Sequence, residues 1–153
     1  MHERPTIRRF RECDMDAILR IEHACFKRDA YDRNLFADFY HKCGDLFLVA
    51  EGSGRIRGYM LTCTRPREGT QTAQVVSVAV APEARREGVA SALMESTLRR
   101  LRSRRVGRLS LAVKVTNRRA VAFYRKYGFL QLRILPRYYE DGKDAWLMAR
   151  DVS

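Results

Sequence analysis

This sequence predicts an α/β chain with a mixed sheet, about seven strands and four helices. Two observations point there. The first half carries apolar strand-type runs separated by turn residues, which reads as antiparallel β: Leu46–Glu51 and Ile56–Thr64 flank Gly52-Ser53-Gly54, and Thr72–Val80 returns after a Pro66/Gly69 loop. The second half switches to strand, helix, strand, with a helical period from Gly88 and a new strand run at Leu109. A chain of 153 residues is by default one domain, here 1–153, and is long enough for a hydrophobic core.

In chain order, Thr6–Phe10 is a short strand carrying Ile7 and Phe10. Asp14 or Asp16 suits the cap of a helix that spaces Ile18, Leu19, Ile21, Glu22, Cys25 and Phe26 over several turns. Lys27–Asp32 (KRDAYD) breaks the pattern. Asp32 then fits the N-cap of a second helix with Leu35, Phe36, Phe39 and Tyr40 on one side, closing before Gly44. Beyond the β run, Gly88–Leu101 is an amphipathic helix with Val89, Ala92, Leu93, Met94 and Leu101 near one face. Leu109–Val115 is a strand bounded by Gly107 and Asn117, and Asn117 caps the helix Arg118–Tyr127, which Gly128 stops. Phe129–Leu135 and Ala145–Ala149 flank a loop, PRYYEDGKD, holding an Asp141-Gly142 turn. Right-handed crossover makes Val75–Val80 and Leu109–Val113 parallel neighbours with the Gly88 helix between them.

The charge is unusual: 30 Lys and Arg against 18 Asp and Glu give +12. Thirteen of the basic residues fall between Arg85 and Lys126, against Glu87 and Glu95 alone. Such an excess suits a phosphorylated cofactor, RNA backbone, an acidic protein or a solubilising face. No zinc-finger spacing, RNP-like strand or GXXG loop accompanies it, so direct nucleic-acid binding is not expected. Cysteines 13, 25, 43 and 63 form no CxxC, and His2, His23 and His41 offer no ligand cluster. The expectation is no metal, with free buried thiols in a reducing compartment. MHERPTIRRFR lacks the apolar core of a signal peptide, and no run approaches about 18 apolar residues, so a cytoplasmic protein off the membrane is expected.

The stretch Val78–Leu93, VAVAPEARREGVASAL, leads from strand through Pro82 and a polar corner into a helix. Such a corner exposes the first N–H groups of the helix, and with the helix dipole these favour phosphate. Gly88 permits close approach, and Arg85 and Arg86 add charged donors. On physics alone a phosphate site and a plain strand–turn–helix with a basic turn both stand.

The residues Val80-x-Pro82-x-x-Arg85-Arg86-x-Gly88-Val89-Ala90-x-x-Leu93 resemble the acetyl-CoA motif of the GNAT acyltransferase superfamily. About thirty residues on, Val113-x-x-x-Asn117-x-x-Ala120-x-x-Phe123-Tyr124-x-x-x-Gly128-Phe129 resembles the same family's second cofactor-side motif. Order and spacing together are more specific than either alone, and the resemblance covers essentially the whole chain. Within the superfamily it looks most like the N-terminal protein acetyltransferases, in particular bacterial ribosomal-protein alanine acetyltransferases and their archaeal relatives. Ile21-Glu22 leading to Phe26 and Tyr31, the segment Val75–Val80, and Tyr138-Tyr139 ahead of Asp144-Ala145 carry that likeness.

The resemblance implies a GNAT-like fold with a splayed central pair of parallel strands. It implies that backbone amides from Arg85 through Glu87, Gly88, Val89 and Ala90 cradle the CoA pyrophosphate, with Arg85 and Arg86 adding charge. Val78, Ala79 and Val80 would offer main-chain groups to the pantetheine arm, and Asn117 would contact the cofactor, cap its helix, or both. Tyr124 resembles the family tyrosine near the CoA sulfur and is the candidate acid for the departing thiolate. A backbone N–H near Val78 would polarise the carbonyl. Phe26, Tyr31, Gln74, Tyr138 and Tyr139 are the candidate acceptor-binding residues, the first two on a link facing the last two across a peptide groove.

The sequence departs from that pattern in one place. Close bacterial relatives carry Glu, and some eukaryotic ones His, where Leu111-Ala112-Val113-Lys114 presents Ala112, which accepts no proton. Gln74 orienting a water, or Glu22 or Glu51 acting through one, are the repairs. An α-amine needs less help than a lysine, since they titrate near about 7.7–8.0 and about 10.4 respectively. The expectation is therefore acetyl transfer to a protein N-terminus, a ribosomal protein included, by a monomer or weak dimer. Acetylation of a small-molecule amine or lysine, and a CoA-binding or RNA-associated module with weak catalysis, are the alternatives.

Overall fold

The computed structural model describes residues 4–152, apart from the Arg67 side chain. Strands β1 (Thr6–Arg9), β2 (Phe47–Gly52), β3 (Arg55–Arg67) and β4 (Thr70–Val80) form an antiparallel run. After them come β5 (Arg108–Lys114), β6 (Leu130–Leu135) and β7 (Ala145–Asp151), giving one sheet in the order β1-β2-β3-β4-β5-β7-β6. Helices α1 (Met15–Phe26) and α2 (Arg33–Cys43) precede β2, while α3 (Val89–Ser103) and α4 (Arg118–Lys126) flank β5 in sequence.

Neighbouring residues on a strand face opposite sides, and β3 shows how this sorts the helices. Tyr59 is fully buried and meets the Phe36 ring of α2 edge-on at 5.7 Å. Met60 points the other way, where its sulfur accepts a hydrogen bond from Thr97 of α3 at 3.4 Å. α4 lies beside α3, with the Tyr127 hydroxyl donating to Glu95 at 3.3 Å. Local signals placed the ends: the Asp32 carboxylate accepts from Leu35 N–H at 2.9 Å, and Asn117 Oδ1 accepts from Ala120 N–H at 3.2 Å.

Three expectations are corrected. The first concerns the Pro66/Gly69 segment. β3 runs through Pro66 to Arg67, and only Glu68 and Gly69 make the turn. Proline is tolerated because β2 starts at Phe47, opposite Leu61, so this part of β3 has no β2 partner to lose a hydrogen bond to. The second concerns the thiols: Cys43, at the end of α2, is disulfide-bonded to Cys63 of β3, while Cys13 is exposed and Cys25 half-buried. That pair forms because α2 lays its last turn against β3, a contact that cysteine spacing does not encode.

The third correction matters most for function. The parallel β4–β5 ladder consists of Thr72–Arg108, Ala73–Leu109 and Gln74–Ser110, and goes no further. Just past it, Leu61 faces Ser77 while Thr62 faces Val75, so Val76 is an extra, bulged residue. A bulge bends and twists its strand. β4 and β5 are parallel neighbours as expected, and they splay as the resemblance implied. What differs is the register: the ladder ends at Gln74 and Ser110, so Val75–Val80 and the later part of Leu109–Val113, the expected partners, separate beyond it. Among the described residues no helix is long and apolar enough to cross a membrane.

Candidate active site

Where β4 ends, Ala81 N–H donates to Arg57 O at 2.8 Å, and Pro82–Ala84 makes one 3₁₀ turn. The chain then passes through left-handed backbone at Arg86 (φ 67°) and Gly88 (φ 77°) before α3 begins. No side chain caps that helix start, so its first-turn N–H groups remain for a ligand. Arg85, Arg86 and Gly88 are exposed there. The Glu87 carboxylate turns away and pairs with Arg57 at 3.7 Å, so any part it plays toward an anion belongs to its backbone. The Val89 side chain is core. Gly58 of β3 lies beneath this corner: a Cβ there would stand 2.8 Å from Ala79 O and 2.9 Å from Val89 Cγ1.

Beyond Gln74, β4 has no ladder partner on its β5 side. Val78, Ala79 and Val80 therefore border a cleft along which an extended arm could lie as an added strand. Val80 O accepts from the Cys25 thiol at 3.3 Å, with Arg85 3.9 Å from the same sulfur. Cys25 had carried no signal beyond its place on an apolar helix face. Tyr124 of α4 is buried, and its ring meets Phe129 edge-on at 5.6 Å. Burial, with Tyr139 adding to it, pushes the Tyr124 phenol above the usual tyrosine range, so it holds its proton. Asn117 acts as the cap of α4.

On the acceptor side the structure brings together Tyr31, Tyr138 and Tyr139. The Tyr138 and Tyr139 rings meet edge-on at 5.0 Å. Burial, then the neighbouring Tyr138 and Tyr31, pushes the Tyr139 phenol up to about 12. The link after α1 and the loop between β6 and β7 do face each other. Phe26 stands apart at the end of α1, 37% exposed and in none of these ring contacts. Gln74 is half-buried at the last β4–β5 pair, opposite Ser110, where the two strands begin to part.

The proposed proton acceptors divide. Glu51 is held at 2.8 Å by Arg8 on the outer strands, away from the cleft, which removes it. Glu22 is 1% exposed and fully engaged: Oε2 accepts from Tyr31 N–H at 2.9 Å, and Oε1 accepts from the Tyr59 and Ser77 hydroxyls. Burial raises its pKa against the opposing pull of those bonds. Glu22 therefore anchors the Tyr31 link to the sheet beside the cleft. Sequence reasoning missed a further cluster. Lys114 Nζ lies 3.0 Å from Asp29 of the link after α1, 3.0 Å from Asp141 of the β6–β7 loop, and 5.0 Å from the Tyr139 ring centre. The available signal was Lys114 standing two residues beyond Ala112, on the same face of β5.

Among the described residues no three His, Cys, Asp or Glu gather as metal ligands, and His2 lies outside them. A polar cavity of about 520 Å³ opens elsewhere, lined in part by His41, Cys43, Asp45, Thr62 and Arg104; it shares no lining residue with the donor corner.

A helix start that no side chain caps, an open strand edge and a buried phenol on α4 are the parts that the resemblance to acyltransferases implied. The chain belongs to the acetyltransferase (GNAT) family, whose model matches residues 15–129, and it is an acetyl-CoA-using acetyltransferase. It is similar to an N-alpha-acetyltransferase of Saccharolobus solfataricus, 30% identical over 156 residues covering 96% of this chain and 93% of that one. The crystal structure of Ard1 from Thermoplasma volcanium superposes with a TM-score of 0.93 at 32% identity, covering 99% of each chain. The ribosomal-protein-S18-alanine N-acetyltransferase of Escherichia coli gives 0.82 at 27% identity, over 97% of this chain and 94% of that one.

Proposed function

We propose that this chain transfers the acetyl group of acetyl-CoA to the N-terminal α-amine of a protein, ribosomal proteins included. The observation that carries this reading is the pair of tyrosine-bearing segments, Tyr31 against Tyr138 and Tyr139, facing each other at the open end of the β4–β5 cleft. Tyrosines there offer apolar area with a hydroxyl for peptide main chain. The names of the Saccharolobus and Escherichia relatives support the same acceptor class.

Acetyl-CoA supplies the thioester. The α3 corner (Arg85, Arg86, Gly88, Val89 and Ala90) binds its pyrophosphate, and the β4 edge at Val78–Val80 aligns its extended arm. Tyr124, kept protonated by burial, gives the proton that the leaving thiolate takes up. Ala112 removes a base from β5, so the amine loses its proton to water, which is within reach for an α-amine near about 7.7–8.0. The basic surface suits approach to RNA-rich material, and the reading places the protein in the cytoplasm as a monomer or weak dimer.

A panel of free N-terminal peptides, lysine-containing blocked peptides and polyamines, incubated with acetyl-CoA and read by mass spectrometry, tests the acceptor class. Acetylation of N-termini is expected. Modification of polyamines or lysines with the free N-termini untouched overturns it. In the same assay Tyr124→Phe should lower kcat about 10²-fold, and an unchanged rate removes Tyr124 as the acid.

A further inference from the structure

The Asp29–Lys114–Asp141 cluster joins three distant parts of the chain at one point. Asp29 lies in the 3₁₀ turn Lys27–Asp29 that closes α1, Lys114 is the last residue of β5, and Asp141 is in the β6–β7 turn. The three side chains are 27%, 29% and 38% exposed, so none is freely solvated. Among the described residues no other hydrogen bond or ion pair spans from the link after α1 to the β6–β7 loop. The ammonium also lies over the Tyr139 ring, a cation–π contact that fixes the tyrosine against the same cluster.

We infer that Lys114 is a positioning residue that clasps the two walls of the acceptor groove, holding Asp29 and Asp141 together and so setting the groove's width and the pose of Tyr139. The inference rests on the reading that these two segments border the acceptor. An isolated surface ion pair has little effect, but one cation shared by two partly covered carboxylates from opposite walls also closes a gap that no other polar contact closes. Counted over the two walls, Lys27, Arg28, Lys114, Arg137 and Lys143 balance Asp29, Asp32, Glu140, Asp141 and Asp144, so the clasp acts by holding the walls together rather than by a net field at the groove mouth.

The clasp predicts a particular kinetic split. Lys114→Met frees both walls and should raise the acceptor KM about fivefold, the scale of a partly covered ion pair. The acetyl-CoA KM should stay within about twofold, because the donor corner and β4 edge share no contact with the cluster. Raising salt from about 0.05 to 0.5 M should raise the parent's acceptor KM through screening, and should lose that effect in Lys114→Met. Lys114→Arg, which keeps the charge, should restore most of the parent's value. Amide exchange at Tyr31 and Gly142 should quicken in Lys114→Met with the global unfolding midpoint little moved.

The acceptor used is whichever amine of the panel the parent acetylates, so failure of the N-terminal assignment leaves the clasp measurable on that amine. An unchanged acceptor KM in Lys114→Met, an equal rise in the acetyl-CoA KM, or a salt dependence that persists in the variant overturns the clasp.

Discussion

Substituting Gly58 by alanine tests the connection between the fold and the donor site. The added Cβ would lie 2.8 Å from Ala79 O, 2.9 Å from Val89 Cγ1 and 3.3 Å from Val80 Cα. Two of those atoms are backbone of the open β4 edge, and the third belongs to the first residue of α3. The valine methyl can rotate away, whereas the strand must shift. Overpacking of this kind costs about 1–3 kcal/mol. At about 2–4 °C per kcal/mol for a chain of this size, Tm should fall by about 2–12 °C.

The displaced atoms flank both halves of the donor site, so CoA affinity should weaken in the same variant by about tenfold, the equivalent of about 1.4 kcal/mol. Urea unfolding gives the first quantity and calorimetric titration with CoA the second. A variant with the parent's urea midpoint and the parent's CoA affinity would refute the close approach of β3, β4 and α3. A loss of stability with CoA affinity intact would refute the claim that this packing shapes the donor site.

Gly88→Val makes the complementary case. No atom lies within 4 Å of a Cβ at that position, so the cost is backbone strain at φ 77°, about 1–2 kcal/mol, with CoA affinity falling alongside; calorimetric affinity equal to the parent's removes the corner as the pyrophosphate site. Glu22 should show a pH signature. Its folded pKa is raised above 4.5, so the native state binds more protons than the unfolded one from about that pH up to the folded pKa. Its contribution to stability is therefore greatest at low pH and is lost as pH rises through that window. Urea titrations should show the stability of the parent relative to Glu22→Gln declining there and then levelling; a flat or rising difference contradicts a buried, protonation-prone carboxyl. For the disulfide, Cys43→Ser should cost about 3 kcal/mol by opening a loop of 20 residues. Dithiothreitol should produce the same loss in the parent and none in the variant, and a parent indifferent to reduction would show the bond is not formed.

Legibility in the sequence followed the range of each interaction. Asp32 and Asn117 were readable as caps because a cap depends on an amide three residues away. Gly88 was readable as the hinge of the corner because only a few neighbours define a helix start. Glu22 could be named as a carboxylate of interest, but its role could not: its partners Tyr31, Tyr59 and Ser77 come from three other segments. Glu51 carried an equal sequence claim, and Arg8 of another strand removed it.

By itself, the sequence determined the order of strands and helices and the caps at Asp32 and Asn117, each a matter of local period or capping. The phosphate corner, the role of Tyr124 and the missing base at Ala112 came only with the resemblance to the GNAT family, since local pattern alone left the corner open between a phosphate site and a plain basic turn. Only the tertiary structure decided that the bulge at Val76 follows a ladder ending at Gln74 and Ser110, opening the cleft. It alone decided that Cys43 reaches Cys63 and that Lys114 gathers Asp29 and Asp141. Those features arise where segments remote in sequence pack together, and no local pattern specifies which will meet.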